Sequence, residues 1–137
     1  MHAPVRDSRA MIAGMDPVLK PGEWIFAAVP HGGPVPAEAA DALATFREDE
    51  GLTLVLPREQ AEAAGLGADL PMARIVLSVH SALDGVGLTA AASTALAAEG
   101  IACNVIAAFH HDHLFVPAAL AADALAALRG AQQQALG

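Results

Sequence analysis

Two stretches of the sequence hold residue types that could do chemistry. The first is Ser81–Leu88, which reads SALDGVGL. A strand pattern precedes it and a helix pattern follows, so the loop delivers the chain to a helix N-terminus. The first N–H groups of a helix lack intrahelical partners and lie at the positive end of its dipole, which suits a carboxylate. Gly85 and Gly87, with Val86 between them, let backbone approach a ligand closely. Asp84 offers a negative charge to an ammonium group. A plainer reading is equally open. Ser81 and Asp84 have the spacing of a capping box, which places the helix start at Ser81 and leaves both glycines to serve turn geometry.

The second stretch is His110-His111-Asp112-His113. His111 and His113 are two apart, a spacing that on a strand puts both rings on one side and can chelate zinc. The chain is expected to turn here, from about His110 to Asp112, which breaks that geometry. No second H-x-H, C-x-x-C or H-E-x-x-H accompanies the cluster. The group reads better as a hairpin cap lining a pocket or a subunit contact. His111 and His113 are the only metal candidates.

Four further residues belong with these stretches. His80 lies on the polar face of the strand before the loop, as a satisfied structural histidine or a pocket lining. Asn104 opens a strand, where asparagine is disfavoured; it bonds the Ser81–Leu88 loop, a ligand there, or a purely structural partner. Arg47 and Glu48 precede a strand of the N-terminal half. If the halves are pseudo-symmetric they face the Ser81–Leu88 loop, and Arg47 can grip a carboxylate with two parallel hydrogen bonds. A surface salt bridge is the duller alternative. His31-Gly32-Gly33-Pro34 has the composition of an anion nest, from a glycine pair alone. Ser78, Ser81 and Ser93 lack a nucleophile-elbow context, and Cys103 has no base beside it in sequence. No catalytic residue is assigned and no motif calls for a cofactor.

The elements that must position these residues follow from periodicity and breakers. Met1–Pro4 is expected to be irregular. Asp7 or Ser8 caps a short helix to about Met15, ended by Asp16-Pro17. Glu23–Val29 reads as a strand, Ala37–Phe46 as a helix with few large apolar residues, and Leu52–Leu56 as a strand. The acidic run Glu48-Asp49-Glu50 is a solvated turn. Pro57 starts a short helix to Ala64, and Gly67–Pro71 is a linker. Met72–Ser81 alternates, with Ile75, Leu77 and Val79 on one face. A helix with Leu88, Ala92, Ala95 and Leu96 on its apolar side ends at Gly100. Ile101–Phe109 and His113–Val116 are strands, and Pro117 opens a final helix carrying Leu120, Leu125 and Leu128.

Composition limits the function. Fifteen acidic residues against seven basic ones give a formal charge of −8, which argues against nucleic acid and anionic membrane as partners. A lone cysteine, Cys103, excludes an internal disulfide and suits a buried thiol. Without a signal-like or membrane-spanning apolar run, the expected location is the cytoplasm.

The block Arg74–Val116 resembles the ACT domain. The resemblance rests on Asp84, on Gly87-Leu88 opening a helix, and on Gly100-Ile101-Ala102-Cys103-Asn104 leading into the next strand. Across the chain, DPVLKPGEWIFAAV, TFREDEGLTLVLP, VHSALDGVGLTAA and NVIAAFHHDHLFVP resemble a group of small, mostly bacterial ACT-like proteins of unknown function. The resemblance implies an α+β, ferredoxin-like βαββαβ fold, with two ACT-like units in tandem. The expected units are residues 1–66, with the short leading helix, and 72–137, packed as one body. No closing strand follows the last helix, so that strand must come from the N-terminal half or from a partner chain.

The expectation is therefore a homodimeric protein that senses an amino acid or related carboxylate, using Ser81, Asp84, Gly85, Val86, Gly87, Leu88, Asn104, Arg47, Glu48 and His80. Two alternatives stay open: a protein–protein interaction module without a small ligand, and a small metal-dependent enzyme built on His110–His113.

Overall fold

The computed structural model describes residue 4 and residues 7–67 and 69–137. Met1, His2 and Ala3, expected to be irregular, and Ala68 of the expected linker lie outside them. The chain order is α1 (Ser8–Ala13), β1 (Pro17–Leu19), β2 (Trp24–Pro30), a 3-10 turn (Ala37–Asp41), β3 (Ala44–Glu48), β4 (Gly51–Pro57), α2 (Arg58–Ala63), β5 (Met72–Leu77), α3 (Leu88–Ala98), β6 (Asn104–Ala107), β7 (Asp112–Pro117), a 3-10 turn (Ala118–Leu120) and α4 (Ala121–Leu136). These elements form two compact units. One comprises Met1–Pro21 with Ala73–Gly137, the other Gly22–Met72.

In the first unit the strands lie in the order β1-β5-β7-β6. β1 runs antiparallel to β5, with Val18 opposite Val76, and β6 antiparallel to β7, with Val105 opposite Leu114. Helices α1, α3 and α4 pack on one another. Their core joins Met11, Met15, Ile75, Leu77, Val79, Leu88, Leu96, Leu114, Val116 and Leu128. Strand alternation sends Ile75, Leu77 and Val79 into this core, as their spacing predicts. Helix α3 ends as its glycine dictates. Gly100 takes φ +70°, its N–H bonds Ala97 O at 3.0 Å, and Ile101 N–H bonds Leu96 O at 3.0 Å. That is a Schellman motif, and buried Ile101 and Leu96 complete it with an apolar contact.

The closing strand missing from the C-terminal sequence is β1. Read from β5, the unit runs β-α-β-β-α, and its sixth element comes from the leading segment. The first 21 residues therefore belong with the C-terminal unit, whereas the sequence reading placed them with the N-terminal one. Ser78 secures the junction: its N–H bonds Met15 O at 2.6 Å and its Oγ donates to Asp16 O at 2.8 Å.

The second unit is smaller. Its strands lie in the order β3-β4-β2, all antiparallel, over a core of Ile25, Val29, Leu54, Leu56 and Ala61. Arg58 ties α2 to the start of β2, donating to Glu23 at 2.7 Å and to Glu62 at 2.9 Å. The helix expected over Ala37–Phe46 is a correction. Only Ala37–Asp41 turns, as a 3-10 helix, and Ala44–Glu48 is a strand paired with β4. Leu43 and Phe46 supply no helical stripe, and the acidic turn closes a hairpin whose ladder bonds outweigh alanine propensity. Gly51 completes that turn, where a Cβ would collide with Val29 O.

Candidate functional site

The loop between β5 and α3 borders a cavity of ≈ 360 Å³ in the first unit. Its lining includes Ser81, Ala82, Gly85, Val86 and Gly87, the first residues of α3, Ala107 at the end of β6 with Ala108 after it, and Met11 of α1. Asp112 of β7 also lines it.

Helix α3 begins at Leu88 with Gly87 as its N-cap, six residues later than a Ser81 N-cap predicts. This is a correction of element position. Gly85 N–H bonds Ala82 O at 2.9 Å, so Asp84 sits in a turn over Ala82–Gly85, with Ser81 just before it, ahead of the helix. Gly87 is the N-cap, with φ +111°, a conformation that favours glycine. The first helical bond runs from Ala91 N–H to Gly87 O, at 2.9 Å. Gly87 brings no capping side chain to the helix, and the first turn holds no acidic residue. The amides of Leu88, Thr89 and Ala90, which have no acceptor within the helix itself, open it on residues that line the cavity.

Asp112 is the charged counterpart. It is 6% exposed, the buried polar residue of a core that is otherwise apolar among the described residues. It shares strand parity with Leu114 and Val116, so it points to the core face. Burial raises its pKa above the ordinary carboxylate value, and nearby His111 offsets this in part.

The predicted site residues distribute as follows. Ser81, Gly85, Val86, Gly87 and Leu88 line this cavity, with Leu88 buried and Val86 78% exposed. Asp84 is exposed at the turn. His80 is half-buried and joins a ring cluster, with its centroid 5.4 Å from His110, 6.3 Å from His111 and 6.4 Å from Phe109. Asn104 is exposed at the far end of β6 from Ala107, opposite Phe115. Arg47 and Glu48 belong to the second unit, where they line a separate cavity of ≈ 330 Å³ with His31, Gly32 and Gly33. There Glu48 accepts a hydrogen bond from Thr53 Oγ1.

His111 and His113 diverge in environment. His111 Nδ1 lies 3.3 Å from Val79 O. His113 Nδ1 is buried without a hydrogen-bond partner among the described residues, and its pKa is lowered by burial and then by Arg74, His111 and Lys20. Among the described residues, no group of three or more His, Cys, Asp or Glu side chains is arranged to hold a metal ion. Cys103 is half-buried against the core, and burial raises its pKa.

Six cavity residues lie outside the predicted Ser81–Leu88 loop, Asp112 and Met11 among them. Asp112 was visible as part of a histidine-rich turn, and its parity with Leu114 was the available signal. Met11 had no signal, because nothing local shows that a helix some seventy residues upstream packs on the loop.

The model of the ACT domain matches residues 3–73, and a second ACT-domain model matches residues 73–130. No curated protein matches the chain. Among solved structures, the chain is similar to a Vibrio cholerae protein of unknown function, described as a possible transport protein, with 44% identity, coverage of 88% of this chain and 92% of that one, and a TM-score of 0.78. An Agrobacterium tumefaciens protein shares 21% identity over 81% and 84% of the two chains, with a TM-score of 0.66. The regulatory subunit of aspartate kinase from Thermus flavus shares the fold at 14% identity, over 84% and 95%, with a TM-score of 0.58. ACT domains are in general regulatory modules that bind amino acids. No helix among the described residues is long and apolar enough to cross a membrane. Two domain matches that together span residues 3–130, in units built of antiparallel sheet and helices, place the chain in the ACT-domain family, with two such domains in tandem.

Proposed function

We propose that the cavity of the first unit binds a small free amino acid, and that the protein is a cytoplasmic sensor of that ligand without catalysis of its own. One observation carries the reading: a helix N-terminus with a glycine N-cap and a buried carboxylate line the same cavity. The amides of Leu88, Thr89 and Ala90 suit the ligand's carboxylate, and Asp112 suits its ammonium group. In this reading Asp112 takes the part that the sequence offered to Asp84. The volume is at the low end of the roughly 300–1,000 Å³ usual for small-molecule pockets. Leu83 and Val86, both lining residues, are 71% and 78% exposed, which supports a homodimer in which a second copy covers them.

A thermal-shift screen of the free amino acids tests the reading. A ligand at a hundred times its Kd adds about 2.7 kcal/mol of stability. At least one amino acid should raise Tm, while its amide and its decarboxylated amine should not. No shift from any of them, with the protein folded and unfolding cooperatively, defeats the proposal. Light scattering checks the dimer: Leu83→Glu with Val86→Glu should give a monomer.

A further inference from the structure

We propose that Met11, on α1, sets the size of ligand side chain that the first unit's cavity accepts; this rests on the amino-acid reading above. Met11 is 1% exposed, belongs to the unit's core and lines the cavity. Its thioether occupies the space over the loop. A side chain begun at Gly85 would come within 3.1 Å of Met11 Sδ and 3.2 Å of its Cε. One turn earlier on α1, Ser8 lies as close to Gly87, where a Cβ would stand 3.0 Å from Ser8 Oγ. The glycines of the loop thus leave room that α1 fills.

Leu83, Val86 and Leu88 of the lining are branched, and the smallest side chains on it are the methyls of Ala82, Ala90, Ala107 and Ala108. Those methyls cannot retract. Met11 is the lining residue with an unbranched, three-torsion side chain, able to change rotamer at small cost. α1 is itself held in place at a distance from the cavity. Arg9 donates to Ala135 O at 3.1 Å and to Gly137 O at 2.9 Å, and Gln132 Nε2 donates to Ala13 O at 2.8 Å. A fixed helix carrying one adaptable side chain is a wall whose depth is set by that side chain.

Isothermal titration of the wild type, Met11→Ala and Met11→Leu with glycine, alanine, valine, leucine and methionine tests this. Each methylene admitted to or refused by an apolar pocket changes affinity by about tenfold or more. Met11→Ala should move the preference toward longer side chains by at least that factor, and Met11→Leu, a near volume-conserving change that keeps the fold, should move it less. A wild type that binds, with an unchanged order of preference in both variants, overturns the role of Met11 and leaves the functional reading intact. A second arm needs no amino acid. Under xenon pressure, carbon-13 methyl shifts of Leu88 and Ala107 should move further in Met11→Ala than in the wild type, because a dry enlarged cavity takes up xenon. If no amino acid binds but xenon enters the variant, the functional reading fails while Met11 stands as the wall. If xenon shifts are equal in the two proteins, Met11 does not set the volume and the inference is wrong.

Discussion

Asp112 is the residue on which binding and stability pull in opposite directions. Its burial raises the folded-state pKa above the unfolded value, so the native state holds more protons than the unfolded one between the two values. The stability that Asp112 contributes therefore falls as pH rises through that window and is level above it. Asp112→Asn removes the ionisation cost and should leave Tm at neutral pH unchanged or higher. The same substitution should remove most of the amino-acid thermal shift, because an amide carries no charge to hold an ammonium group. In the wild type a cationic amine favours the ionised carboxylate. Affinity should then rise with pH through the raised pKa and level off above it, and titrations across the acid range would reveal the trend. An affinity that is flat over that range, or an undiminished thermal shift in the Asp112→Asn protein, would remove Asp112 from the site.

At the scale of elements, the loop and α3 show what local sequence can and cannot specify. The strand before the loop, the glycine stop of α3 and the β6–β7 hairpin were legible, because alternation and the glycine at Gly100 act over a few residues. The capping-box spacing misplaced the helix start, whereas the ACT resemblance put it at Gly87-Leu88, where the helix opens. S-x-x-D is shared by capping boxes and by turns, and at Ala82–Gly85 the turn prevails. In the same way Ala37–Phe46 looked helical from its alanines, yet Ala44–Glu48 pairs with β4, a partner that propensity cannot see. The correction shifts the weight within the loop from Asp84 to Gly87. Gly87→Ala places a Cβ at φ +111° and 3.0 Å from Ser8 Oγ. It should cost about 1–2 kcal/mol for the backbone conformation and weaken ligand binding with it. Asp84→Asn, on an exposed turn, should leave affinity alone. Chemical denaturation and titration of the two variants side by side decide between the two assignments.

At the scale of the whole chain, the order of elements along the sequence differs from their order in the units. The leading segment gives the C-terminal unit its closing strand, a helix over the cavity and two buried methionines, Met11 and Met15. The sequence announced that a strand was missing after α4, but the donor could be identified only by pairing across some sixty residues, which no periodicity records. The arrangement makes the C-terminal unit dependent on residues at the other end of the chain. Deleting residues 1–21 would bare the backbone of β5 along Ile75–Leu77 and open the core where Met15 is 0% exposed. An unpaired apolar edge invites association, and loss of even one buried methionine side chain costs about 2–5 kcal/mol. The shortened chain should lose cooperative unfolding of its C-terminal unit, with hydrogen exchange in β5 and β7 rising toward that of an unfolded chain. Protection in the cores of β2 and β4 should fall much less, since Ile25, Val29, Leu54 and Leu56 form a core of their own. Full protection of β5 in the shortened chain would mean that β1 is dispensable and that the C-terminal unit closes its sheet by another route.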